Sequence, residues 1–210
     1  MHWLHYWQTY FDDHTDALDR LANDGFAVID QALPQDLYAQ LVQASQDESH
    51  YQAAKISAGG RVASVRSDST HWIEEHDDVG KHYLAALHGL GSVLNQSLYL
   101  GIRSVEAHYA QYQIGQFYAR HRDNANGSNV RAISTVLYLN SAFDESPAHQ
   151  DWQVEWGGVL RLEDLHHTAH DILPIANRLV VFQSDLPHEV LSATQVRRSI
   201  AGWLRRDEHV

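Results

Sequence analysis

A histidine and an aspartate two residues apart, His121 and Asp123, lie in the stretch ARHRDNANGSNVRAISTVLYLN, residues 119 to 140. Side chains alternate between faces in an extended chain, so this imidazole and carboxylate project to the same side and can reach one metal ion. The spacing alone selects nothing, because with 16 histidines the pattern His-x-Asp also occurs at His14/Asp16, His76/Asp78 and His149/Asp151. Context sets His121 apart: strand-like flanks, an Asn/Gly-rich turn just after it, and suitable partners in PHEVLSATQVRRSIAGWLRRD, residues 187 to 207.

His188, in SDLPHEV, is the simplest third ligand. Two imidazoles and one carboxylate leave about half the positions of an octahedral metal open, which substrate chemistry requires. Read alone, His188 follows a proline at a turn and is equally an ordinary surface histidine. A rival cluster of His166, His167 and His170 falls in LHHTAHD, which lacks strand context and reads as a solvated loop. Arg197 adds a different chemistry. Alternation along VRRSIAGWLRR puts Arg197, Ser199, Ala201 and Trp203 on one face, and a guanidinium among small inward side chains is costly to bury unless it meets an anion of matching geometry. A bound carboxylate would satisfy it. Tyr138, sharing a face with Ser134, is placed to donate a second hydrogen bond from the rim, or else simply packs in the barrel. Arg198 is expected to point away, toward solvent or an acidic neighbour.

The elements that must position these residues fall into two halves. Residues 14–24 carry Leu18 and Leu21 at helical spacing with Gly25 as a stop, FAVID at 26–30 reads as a buried strand, and Pro34 opens a second helix. A glycine-bearing loop is expected at 51–60, a strand at 61–68, and a long helix around 79–94 that Gly89 and Gly91 weaken. From Ile102 onward short β-branched and aromatic runs follow one another, separated by turn signals at Gly115, Asn126-Gly127, Gly157-Gly158, Pro174 and Pro187. The expectation is one α+β domain over 1–210: mainly helical support with early strands to residue 100, then a strand-rich sandwich or barrel over 101–207 carrying the site.

Composition narrows the chemistry. A formal net charge of −12, from 15 Lys+Arg against 27 Asp+Glu, argues against a phosphate-backbone binder, so nucleic acid is not an expected partner. The absence of cysteine excludes disulfides, iron–sulfur clusters and thiolate zinc sites, leaving nitrogen and oxygen as ligands. The first residues lack a basic n-region and no apolar run approaches spanning length, so the expected location is the cytoplasm, without a membrane. The aromatic start, with Trp3, Tyr6, Trp7, Tyr10 and Phe11, is expected to pack within the chain.

HRDN at 121–124, with His188 and Arg197 downstream, resembles the Fe(II)/2-oxoglutarate dioxygenases, and more narrowly the prolyl-hydroxylase-domain group that includes the animal oxygen-sensing enzymes and bacterial relatives. VRSDSTHWIEE (65–75), YARHRDNANGSNVRAISTVLYLN (118–140), WGGVLRL (156–162) and NRLVVFQSDLPHEVLSATQVRRSIAGWLRRD (177–207) carry the resemblance over roughly the last two-thirds of the chain. It implies a double-stranded β-helix, a jelly-roll or cupin-like barrel with the N-terminal helices packed outside. It implies Fe(II) held by His121, Asp123 and His188, 2-oxoglutarate paired with Arg197 and Tyr138, and O2 as the other cosubstrate. No catalytic residue beyond the metal centre is implied. Trp203, Tyr118 and Tyr112 match pocket-lining aromatics, although the turn YQIGQFY is one residue shorter than in the animal enzymes, and Asp68 with Arg131 matches a salt bridge near the entrance. The segment YQAAKISAGGR lies where the group carries a loop that closes over substrate.

The implied reaction is hydroxylation of a C–H bond with decarboxylation of 2-oxoglutarate to succinate and CO2, and the group points to a prolyl residue in a protein or peptide partner. The alternatives are a hydroxylase of a small molecule such as a free amino acid, and a β-barrel metal-binding or sensing protein without turnover. A broad groove beside Trp203 would favour a polypeptide. A closed pocket with a second carboxylate-binding arginine would favour an amino acid.

Overall fold

Strand alternation divides the apolar side chains of this chain between two cores, and the architecture follows from that division. In the computed structural model, residues 1–54, 65–74, 76–124, 128–140 and 152–207 are described. The order is α1 (Trp3–Asp13), α2 (Thr15–Asn23), β1 (Phe26–Ile29), α3 (Gln35–Ser45), β2 (Gln52–Ala53), β3 (Ser69–Trp72) and α4 (Asp78–Leu98), then β4 (Ser104–Tyr112), β5 (Tyr118–His121), β6 (Arg131–Tyr138), β7 (Leu160–Glu163), β8 (Ala169–Ile172), β9 (Leu179–Gln183), β10 (His188–Val190) and β11 (Arg197–Arg205).

The strands form an antiparallel seven-stranded sheet ordered β1-β9-β6-β11-β4-β3-β2 and a four-stranded sheet ordered β5-β10-β7-β8. Ile133 and Leu137 of β6, Leu179 and Val181 of β9, and Ile200 and Leu204 of β11 join the helices in one core. The intervening Tyr138, Val180 and Phe182 join Leu160, Leu162 and Val190 of the small sheet in the other. Both faces of the large sheet are therefore covered, which is why its central strands read as nearly continuous apolar runs. The α+β class and the strand-rich second half are as expected.

The N-terminal aromatics pack within the chain as expected, on a helix of their own, α1, whose Trp7 is buried and donates from Nε1 to the Ala86 carbonyl at 2.8 Å. Three local readings differ from expectation. Gly89 and Gly91 do not weaken α4, which runs from Asp78 to Leu98. A Cβ on Gly89 would stand 2.6 Å from Trp3 Cβ and 2.7 Å from the Trp3 backbone carbon, so the missing side chain is what lets α1 approach α4. Of the strand expected at 61–68, residues 61–64 lie outside the described residues, and over 65–68 no strand forms before β3 starts at Ser69. Val65 and Ser67 hydrogen-bond to residues 117–119 while Asp68 bonds back to Ala54, so no single ladder forms. LHHTAHD is not all loop: His170 lies on β8, paired with Leu162. Residues 55–61 of the expected substrate loop and the Asn126-Gly127 turn lie outside the described residues.

Gly89→Ala is expected to lower stability by about 1–2 kcal/mol, because overpacking at the Trp3 backbone outweighs the helix propensity of alanine. Urea unfolding compares it with wild type, and a more stable variant would overturn this account of the α1–α4 crossing.

Candidate active site

The site is laid out in rows across the inner face of the large sheet. Residues directly opposite one another on antiparallel strands share a face. The first row is Glu106, Trp203, Ser134 and Phe182, the next His108, Ala201, Val136 and Val180, then Ala110, Ser199 and Tyr138, and finally Tyr112 and Arg197. The small sheet faces the first row with His121 and His188, which are direct partners across β5 and β10. The segment between β5 and β6 crosses from one sheet to the other and carries Asp123.

His121, Asp123 and His188 form the metal-competent group among the described residues, with one donor atom from each lying within 4.8 Å of the others. The two rings are oriented in the same way. His121 Nδ1 lies 2.9 Å from the Ala119 carbonyl, and His188 Nδ1 lies 2.9 Å from the Leu186 carbonyl. Each Nδ1–H is thereby spent on a backbone oxygen two residues earlier, and each Nε2 is left as the ligand atom. Their Nε2 atoms stand 3.6 and 3.8 Å from Asp123 Oδ1 and Oδ2 respectively. Tyr118 stacks on His121 at 3.6 Å between ring centroids, and Phe182 stands edge-on to His188 at 4.8 Å.

Asp123 is itself held. Ser134 Oγ donates to its Oδ2 at 2.6 Å, and Trp203 Nε1 donates to the same oxygen at 2.8 Å. Burial alone would push the Asp123 carboxyl up, but the His188 and His121 imidazoles and the Ser134 hydroxyl hold it well below the usual carboxylate range. Burial drives His188 down to about 4 against the opposing pull of Asp123, so it is neutral and ligand-ready near pH 7.

At the far end of the rows Arg197 is 1% exposed. Its Cζ lies 5.0 Å from the ring centroids of both Tyr112 and Tyr138, and its Nη1 donates to Ser199 Oγ at 3.3 Å. Arg197 Nε, Arg197 Nη2 and the Tyr138 hydroxyl are buried without hydrogen-bond partners among the described residues. Tyr138 is therefore deep in the barrel and not at its rim, because its row lies between both sheets. Arg198 faces the other way, 3.6 Å from Glu48.

Between these ends lies a cleft of about 670 Å³ lined by Tyr112, Tyr118, His108, Trp203, Arg131 and Trp72, among others. Trp72, 42% exposed, forms its outer wall and lies 6.0 Å from the Trp203 ring. The expected Asp68–Arg131 pair does not form. Asp68 is taken by Arg66, two residues away, at 2.7 and 2.9 Å. Arg131 is engaged by Glu106 at 3.1 and 2.7 Å and lies over the Trp203 ring at 3.8 Å. Asp68 does not line the cleft.

Glu106, His108 and Trp72 escaped sequence reading. The register of β4 against β11 is the signal that finds the first two, since each stands opposite an inward residue of β11.

Residues 107–205 match the family model of the 2OG-Fe(II) oxygenase superfamily. The chain is similar to a prolyl-4-hydroxylase of Pseudomonas putida, 35% identical, covering 92% of this chain and 98% of that one with a TM-score of 0.79. It is similar at 25% identity to a prolyl hydroxylase solved in complex with a hypoxia inducible factor oxygen degradation domain peptide fragment from Trichoplax adhaerens, covering 95% and 93% of the two chains with a TM-score of 0.79. The alpha ketoglutarate dependent epimerase SnoN from nogalamycin biosynthesis shares the fold at 11% identity, over 91% and 82% of the chains, with a TM-score of 0.67. A search of curated proteins returns no match. With these neighbours the two facing sheets are a double-stranded β-helix.

His108 generates a test in the metal-free protein. Burial holds its imidazole down to about 3, with Nδ1 unpartnered, whereas the unfolded chain protonates it near 6.5. Below pH 6.5 the unfolded state thus binds more protons, and stability falls with pH. His108→Leu is expected to reduce the stability lost between pH 6.5 and pH 4 by about 3 kcal/mol. Urea unfolding across that range measures it, and an unchanged slope would contradict the buried, neutral His108.

Proposed function

The chain belongs to the 2OG-Fe(II) oxygenase superfamily, a family of enzymes that use Fe(II), 2-oxoglutarate and O2, and from that premise we propose that it hydroxylates a prolyl residue in a protein or peptide. In this reading His121, Asp123 and His188 hold the iron, and Arg197 with Tyr138 holds the distal carboxylate of 2-oxoglutarate. Bound together, iron, 2-oxoglutarate and O2 supply the oxidising power for C–H hydroxylation, with 2-oxoglutarate leaving as succinate and CO2.

One observation carries the cosubstrate assignment. A buried guanidinium with two nitrogens lacking a partner among the described residues, beside a phenol that also lacks one, is a set of donors that matches a carboxylate. Both imidazoles expose Nε2 to the same space while their Nδ1 atoms are tied back, which suits a divalent ion with open positions. The contribution of the chain is then positional. The two rings and Asp123 would hold the metal, the guanidinium would hold the cosubstrate carboxylate, and the stacked Tyr118 and edge-on Phe182 shield the two imidazoles from water.

The shape of the cleft supports a polypeptide over a free amino acid. Its outer wall, Trp72, is exposed and continuous with Trp203, so the cleft runs to the surface. Two of its guanidiniums already have carboxylate partners, Arg66 with Asp68 and Arg131 with Glu106, and Arg205 is shared between Glu106 and Asp207. Arg122 donates to the Asp185 carbonyl. A second site built for a substrate carboxylate would leave one of these unmatched in the interior. The 35% identical Pseudomonas neighbour is a prolyl-4-hydroxylase, and the Trichoplax neighbour was solved with a peptide, which supports the same choice. Asp68, outside the cleft, serves in this reading to fix Arg66 and does not contact substrate.

Anaerobic addition of Fe(II) and 2-oxoglutarate is expected to give the weak visible charge-transfer band of a chelated complex. Asp123→Ala abolishes it. Arg197→Ala raises the 2-oxoglutarate needed by about 100-fold or more, since removing one partner of a buried ion pair costs ~3–5 kcal/mol. A band insensitive to both substitutions would refute the ligand assignment. For the substrate, proline-containing peptides are expected to stimulate succinate formation and to gain one oxygen atom at proline by tandem mass spectrometry. Stimulation by free amino acids alone would replace the peptide reading with the small-molecule one.

A further inference from the structure

We propose that Glu106 is a positioning residue for the metal centre, acting through Arg131 and Trp203 on the orientation of Asp123. The inference rests on the reading of Asp123 as an iron ligand. It deepens that reading by naming what fixes the ligand's orientation.

Register brings the parts together. Glu106 on β4, Trp203 on β11 and Ser134 on β6 are direct cross-strand neighbours in one inward row. Trp203 and Ser134 both donate to Oδ2 of Asp123, at 2.8 and 2.6 Å. Two donors on one oxygen occupy its in-plane lone pairs and leave Oδ1 to a metal, so the carboxylate is presented through one atom and not both. Ser134 has a second tie, 2.8 Å to Ser184 Oγ, that fixes its hydroxyl from behind. Trp203 has no such tie at its nitrogen. Its ring is held between neighbours, with the Arg131 guanidinium over it at 3.8 Å, His108 edge-on at 5.3 Å and Trp72 at 6.0 Å, and Arg131 is the nearest of the three.

Arg131 in turn is fixed by Glu106. Its Nε and Nη2 both reach Glu106 Oε1, at 3.1 and 2.7 Å. Arg205 Nη1 takes the other oxygen, Oε2, at 2.7 Å, and is itself forked onto Asp207 at 2.8 and 2.8 Å. Glu106 is only 8% exposed, and burial, which would raise its carboxyl, is outweighed by Arg131 and Arg205, which pull it below the usual range. A carboxylate shared by two guanidiniums holds Arg131 over the indole at 3.8 Å, through two bonds to one oxygen that a lysine cannot reproduce. The chain of contacts runs Arg205, Glu106, Arg131, Trp203, Asp123.

The test reads both ends of that chain. In metal-free protein with 15N-labelled tryptophan, Trp203→Phe assigns the Trp203 indole N–H among the six tryptophan signals. Glu106→Gln is expected to shift that resonance upfield and speed its exchange with solvent, leaving the other five in place. The same substitution is expected to weaken Fe(II) binding in the presence of 2-oxoglutarate by about 10-fold or more, as loss of a partner behind a metal ligand does. It is not expected to weaken binding further in a Trp203→Phe background. Arg131→Lys, which keeps the charge but loses the guanidinium over the ring, gives the same indole shift and carries the test if Glu106→Gln does not fold. An indole resonance unmoved in the variant, or one that moves while metal affinity stays at the wild-type value, overturns the proposal. If wild type binds no iron, the ligand assignment itself falls, and with it the proposed role, while the indole signal still reports whether Glu106 fixes Trp203.

Discussion

Burying a guanidinium with no carboxylate partner among the described residues costs more than the weak contacts around Arg197 return, so the interior of this barrel is organised around one buried charge. Tyr112 and Tyr138 offer ring faces and Ser199 one long hydrogen bond, none of which neutralises it. Every strand that contributes to the site is arranged relative to this residue. β11 brings it in, β4 and β6 flank it with phenols, and the small sheet sets the metal-competent group at the other end of the same rows. The distance between the two ends is then a property of the sheet register.

Much of this was legible in the sequence because the period of a strand is 2 and does not depend on tertiary context. Parity along VRRSIAGWLRR separates inward Arg197, Ser199, Ala201 and Trp203 from Arg198, and the structure puts Arg198 beside Glu48 on the other side. The pairing of His121 with Asp123 is legible for the same reason, and His188 is legible once a third nitrogen is required. The alternation of Ser134, Val136 and Tyr138 with Ile133, Thr135 and Leu137 likewise sets the two faces of β6.

What sequence reading missed depends on which strands lie next to each other. The resemblance pairs Arg131 with Asp68, yet Asp68 is consumed by Arg66 two residues away, and Arg131 meets Glu106 only because β4 and β6 flank the same strand. Glu106 and His108 look like ordinary alternating polar residues of a half-exposed strand until β11 is laid against them. The glycines of α4 misled for a related reason. A propensity scale counts them as a cost, whereas the approach of Trp3 makes the absence of a side chain the condition for packing. α1 itself was hidden because its aromatic residues carry little helical preference and are ordered by burial against α4.

The strand at the middle of the large sheet, β11, is also the last of the described strands in sequence order, and its two neighbours are β4 and β6. On a chain emerging from the ribosome, both neighbours appear with their facing edges bare, and β1 waits through some 150 residues for β9. Pairings of such long sequence separation close slowly, and exposed strand edges are templates for other chains. The same connectivity that lets a late segment deliver Arg197 and Trp203 to the centre of the barrel therefore makes biosynthesis the vulnerable stage of this protein's life, with a sheet that stays divided until its keystone is made.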